Sequence, residues 1–160
     1  MRRQLVAVAA LVVALALPAL ALAKGPSSAS LFGPGIGSLA VTGEGEMGPG
    51  TPLGALVDSG GFFAQLYGQS PDPTSKARPK AALGPRYRVV YVVPGPNGIR
   101  SRVLQDVYPY ARPVPYSYMR PGQRYWGGRK AHGGWFRASA ELKQALVAAG
   151  LPADAPTTAR

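Results

Sequence analysis

The chain has 160 residues, with 18 Lys plus Arg against 7 Asp plus Glu, a formal net charge of +11 and no cysteine. That length suits one domain with a modest core. Without thiols the fold has no disulfide staples, and a lone histidine leaves too few ligands for an ordinary zinc centre.

In chain order, Arg2 and Arg3 precede an apolar run from Leu5 to Leu22, and Ala21-Leu22-Ala23 offers a small-residue cleavage signal before Lys24. This is the pattern of a secretory signal peptide over 1–23, cleaved after Ala23. About nineteen apolar residues could also anchor the chain in a bilayer, but Pro18 and the loop-like residues after Lys24 favour cleavage. No cysteine follows the run, which excludes a lipid-anchored lipoprotein. The expected location is secreted or extracytoplasmic, in the cell envelope.

Residues 24–37 are rich in Gly, Pro and Ser and read as a flexible lead-in to a single domain over 38–152. Ser38 to Thr42 reads as a strand, with Thr51 to Val57 as an edge partner weakened by Pro52 and Gly54. Asp58 or Ser59 then caps a short helix over about 60–67, with Phe62, Phe63, Leu66 and Tyr67 on one face and Gly68 as its stop. Gln69 to Pro85 reads as an exposed loop.

The centre of the chain is a β-hairpin over about 86–108. Its first strand, Arg86 to Val93, is β-branched and aromatic, and it breaks at Pro94-Gly95-Pro96-Asn97-Gly98 before resuming at Ile99. A two-residue Asn97-Gly98 turn pairs Val92 with Val103, Tyr91 with Leu104 and Tyr87 with Tyr108. A five-residue loop, suggested by the two prolines, shifts that register. Tyr116 to Met119 reads as a further strand, stopped at Pro121-Gly122, and glycine pairs flank a basic loop with Arg129, Lys130 and His132. Ser139 caps a helix over about 140–149, with Glu141 in its first turn and Gly150-Leu151-Pro152 as its end. Residues 153–160 read as a disordered tail. These elements predict a monomeric α+β domain with a small, mainly antiparallel sheet of four or five strands and two short helices.

No motif reaches the specificity of a catalytic or metal site. Gly43-Glu44-Gly45-Glu46-Met47-Gly48 fits a phosphate-loop pattern, but no helix follows and its carboxylates repel phosphate. Asp58-Ser59-Gly60-Gly61 resembles the nucleophile segment of trypsin-like serine proteases over four residues. Val57 and Phe62 stand where that family has Gly and Pro, and the chain is too short for its two-barrel fold. Asp106 reads as a cross-strand partner for Arg88 or Arg102.

One compositional feature stands out. From Lys76 to Arg137 there are thirteen cations and a single acid, Asp106, together with ten of the fourteen aromatic residues. Arginines interleaved with flat rings suit an anionic polymer, because guanidinium forks bind phosphate or carboxylate while rings stack on bases or sugars. The expected ligand-binding residues are Tyr108, Tyr110, Arg112, Tyr116, Tyr118, Arg120, Arg124, Tyr125, Trp126 and Trp135. The expected partner is an anionic envelope polymer or a lipid head group, with nucleic acid disfavoured by export. No cofactor, metal or catalytic residue is expected. The competing readings are a small envelope hydrolase or transferase using His132 with Ser59 or an acidic group, and a structural protein-interaction domain.

Overall fold

The computed structural model of the chain describes residues 25–42 and 51–157. The expected signal peptide, the acidic glycine loop after Thr42 and the last three residues lie outside them. Among the described residues no helix is long and apolar enough to cross a membrane.

Among the described residues the fold is α+β, with nine strands and three helices, more than the four or five strands and two helices expected. The strands are β1 (Ser28–Gly33), β2 (Ile36–Thr42), β3 (Thr74–Ser75), β4 (Tyr87–Pro94), β5 (Arg100–Tyr108), β6 (Tyr116–Met119), β7 (Arg124–Tyr125), β8 (Arg129–Lys130) and β9 (Gly134–Arg137). The helices are α1 (Pro52–Ser59), α2 (Phe62–Tyr67) and α3 (Ala140–Ala148). Seven strands form one antiparallel sheet in the order β2-β1-β4-β5-β6-β9-β3, and β7 pairs with β8 in a separate ribbon.

Two differences from the expected layout have clear physical causes. The expected flexible lead-in supplies β1 and the start of β2, with β1 lying inside the sheet between β2 and β4. Ala29 and Leu31 alternate with serines, so one side of β1 is buried and Leu31 is fully enclosed. Gly33 is required there by close approach: a Cβ would fall 2.3 Å from the ring of Tyr87. The second difference is α1, expected as a strand. Thr51 caps this helix, its Oγ1 accepting from the Gly54 amide at 3.0 Å, and Pro52 occupies the first turn where its missing N–H is harmless. Asp58 and Ser59 consequently end α1 instead of capping α2, whose N-cap is Gly61 at φ 68°.

The hairpin is present with the longer loop. Pro94 pairs with Arg100 across the five residues Gly95 to Ile99, so Tyr91 faces Val103 and Tyr87 faces Val107, one residue away from the two-residue-turn register. Gly95 N–H donates to Ile99 O at 2.7 Å to close the loop.

Because side chains alternate along strands, the sheet has two distinct sides. One side carries Ala29, Leu31, Tyr87, Val89, Tyr91, Val103, Val107 and Met119, and α1, α2 and α3 cover it with Leu53, Leu56, Phe62, Leu66, Leu142 and Leu146. Within this core lies a buried polar cluster. Gln105 Nε2 donates to Gly60 O at 2.9 Å and to Gln65 Oε1 at 2.6 Å, and Tyr91 Oη donates to Gln105 Oε1 at 2.7 Å. Ser117 Oγ also donates to Gly60 O at 2.6 Å, and Gln65 Nε2 to Gly134 O at 2.8 Å. The α1–α2 corner is thereby fixed to β5, β6 and β9. Beyond α3, Tyr110 Oη donates to Pro152 O, and Pro156 lies beside Gly35, so the described part of the expected tail rests on the body.

Candidate functional site

The opposite side of the sheet, away from the helices, collects most of the chemistry. Register places Phe32, Arg88, Asp106, Tyr118, Trp135 and Ser75 in one row across β1, β4, β5, β6, β9 and β3. A neighbouring row runs Tyr108, Tyr116 and Arg137. Trp135 is the hub of the rings. Its centroid is 4.8 Å from Tyr118 and 5.5 Å from Tyr108, both tilted by little more than 30°, and the Arg78 guanidinium sits 5.8 Å above it. Leu83 and Ala111 close over this cluster, leaving Tyr108 and Trp135 nearly buried while Tyr116 and Tyr118 remain half-buried.

The sole acid between Lys76 and Arg137 sits beside the rings. Asp106 accepts from Arg88 Nε at 3.1 Å and faces Arg86 Nη1 at 3.6 Å. Burial raises the hydroxyl pKa of Tyr108, and Asp106 adds to the rise while Arg86, Arg78 and Arg88 oppose it. Next to Tyr118 the surface dips into a hollow of about 260 Å³ lined by Arg88, Leu104, Asp106, Tyr118, Arg120 and Gln123. Gln123 shapes its rim by standing in for a strand: its Oε1 accepts from Leu104 N–H at 2.9 Å and its Nε2 donates to Leu104 O at 2.7 Å. This occupies the backbone groups of β5 beyond its short pairing with β6. The Arg120 side chain is exposed and makes no ion pair among the described residues.

The ten expected binding residues divide among three places. Tyr108, Tyr116, Tyr118, Arg120 and Trp135 belong to the open sheet face. Tyr110 and Arg112 line a separate proline-rich groove of about 380 Å³ near Pro113, Pro115 and Lys143. In that groove Lys143 Nζ lies 5.2 Å over the Tyr110 ring, whose hydroxyl is pushed up to about 12, chiefly by burial. Arg124, Tyr125 and Trp126 belong to the β7–β8 ribbon. Tyr125 and Trp126 turn toward the main core and pack on Tyr67 at 5.8 and 5.9 Å. Tyr125 is buried there and Trp126 half-buried. The sequence pattern does not point to Arg78, Arg86, Leu104, Gln123 or Arg137 as members of the face, and it points to Arg88 and Asp106 only as a cross-strand pair. The alternation of β4 and β5 is the signal that would have added Arg88, Leu104 and Asp106.

His132 lies elsewhere. Its Nε2 donates to Asp72 Oδ2 at 2.8 Å, and both side chains are exposed. Asp72 also accepts from the Thr74 amide and hydroxyl, each at 2.8 Å. Those two bonds, then the one from His132, hold its carboxyl below the ordinary range. Ser59 ends α1 and makes no described contact with this pair. No cluster of three metal-ligating side chains occurs among the described residues.

Comparison with known proteins finds no match among protein-family models, curated proteins or solved structures.

Proposed function

We propose that this chain is an exported, non-catalytic domain that binds an anionic component of the cell envelope through the open face of its main sheet. The observation that carries this reading is the cross-strand row of Arg88, Asp106, Tyr118 and Trp135, bordered by Arg78, Arg86, Arg120 and Arg137. The rings are held in place by packing and the cations stand around them in solvent, an arrangement suited to polyanions. The export part rests on the N-terminal pattern of the sequence.

The test compares retention on whole cell envelopes as salt rises for the wild type and two double variants. Arg120→Ala with Arg137→Ala removes cations from the sheet face, whereas Arg112→Ala with Arg124→Ala removes two that lie off it. Strong loss in the first pair and little in the second supports the reading. Equal retention of all three proteins at every salt concentration refutes it. A hydrolase or transferase using His132 is a second reading, favoured only by the 2.8 Å contact to Asp72. The solvent exposure of both side chains places it behind the first.

A further inference from the structure

The hollow beside Tyr118 has a composition that charge attraction alone does not explain. A face selected only to hold phosphates or carboxylates gains nothing from a carboxylate at its centre, yet Asp106 stands there with its side chain 15 % exposed. Arg88 and Arg86 approach one oxygen each, and an ionised carboxyl offers about four acceptor sites. Acceptor capacity therefore remains on Asp106, and hydroxyl groups are the natural donors for it. Arg88 is held by its Nε, and its terminal nitrogens make no hydrogen bond among the described residues. Beside them lie the half-buried ring of Tyr118, packed against Trp135, and the Arg120 cation, which makes no ion pair among the described residues.

Resting on the reading of the open face as a binding surface, we infer that this hollow is a subsite for one sugar ring of an acidic glycan. The ring stacks on Tyr118, a hydroxyl donates to Asp106, and the acidic substituent of the sugar pairs with Arg120. A bare polyphosphate meets only the cations and is repelled by Asp106. The chemistry thus selects a hydroxyl-bearing ring carrying an acid group.

Binding of the full chain to three probes tests this: a uronic-acid oligosaccharide, an inorganic polyphosphate of equal charge and a neutral dextran. The wild type is expected to prefer the uronic-acid oligosaccharide. Tyr118→Ala lowers that affinity about tenfold, the scale of losing one aromatic stacking contact, and lowers polyphosphate binding far less, because that probe has no ring to stack. Tyr118→Phe keeps the ring and keeps the affinity, which separates stacking from misfolding. Arg120→Ala weakens both charged probes. If polyphosphate binds as tightly as the oligosaccharide and Tyr118→Ala affects both alike, the subsite is refuted while the face remains a polyanion surface. If neither charged probe binds, the face reading falls with it.

Discussion

The carboxamide of Gln105 donates to Gly60 and Gln65 and accepts from Tyr91, so truncation to alanine removes the described partner of the buried Tyr91 hydroxyl and leaves Gly60 O and Gln65 Oε1 to share the single hydroxyl of Ser117. An unsatisfied buried polar group costs about 1–3 kcal/mol. Gln105→Ala is therefore expected to lower unfolding stability by about 3 kcal/mol in a urea titration, and a loss below about 1 kcal/mol would show the network to be incidental. Tyr91 remains a neutral donor in it, because burial pushes its hydroxyl far above the ordinary value. Asp72 presents the opposite case, an exposed carboxylate favoured in its charged form by Thr74 and His132. A carboxyl whose folded pKa is depressed adds stability that is present above its unfolded pKa and lost as pH falls through the folded one. Acidification below the ordinary carboxylate range should loosen the loop after Gly68, and Asp72→Asn should remove that part of the pH dependence. Limited proteolysis between Pro71 and Arg78 reads both effects.

Among the elements, β1 shows how composition can hide a strand. Its two serines and Gly33 suggest a linker, yet Leu31 pairs with Leu39 and Val89 and is fully buried. Leu31→Ala should cost about 2–5 kcal/mol, the range for truncating an enclosed leucine. A change within about 0.5 kcal/mol would return the segment to the status of a lead-in. The hairpin was legible because β-branched runs and an Asn-Gly pair are strong local signals. Its register depended on Pro94 and Pro96, whose missing amides favour the wider loop, and Asn97 and Gly98 still adopt the positive φ values, 56° and 75°, that their types favour. In α1, the Thr51-Pro52 start is an N-terminal helix signature that the strand-like reading of Val57 and its neighbours obscured. The candidate face was legible only in part. Sequence gathers arginines and rings between Tyr108 and Trp135, but strand parity decides which of them share a side, and the buried turn of Tyr125 and Trp126 depends on contacts from α2.

For the whole molecule, the arrangement separates stability from charge. The apolar core and its polar cluster lie under the helices, while Arg78, Arg86, Arg88, Arg120 and Arg137 gather on the other side around one acid. If the basic face steers encounter, association with an acidic glycan slows by about tenfold or more as the Debye length shrinks from about 30 Å at 0.01 M salt to about 3 Å at 1 M. Stopped-flow measurement across that range checks it, and a rate independent of salt would leave the net charge without a kinetic role. Unfolding stability, resting on buried apolar contacts, should change far less over the same range.

The chain holds two tryptophans, and the fold assigns them to different surroundings. Trp126 packs against the main core with Tyr67 and Tyr125, whereas Trp135 belongs to the outer ring cluster beneath Arg78. Replacing Trp126 by phenylalanine would leave a single indole as a built-in optical reporter. Its emission would follow events at the outer cluster without any attached dye, and the reciprocal variant would follow the interior.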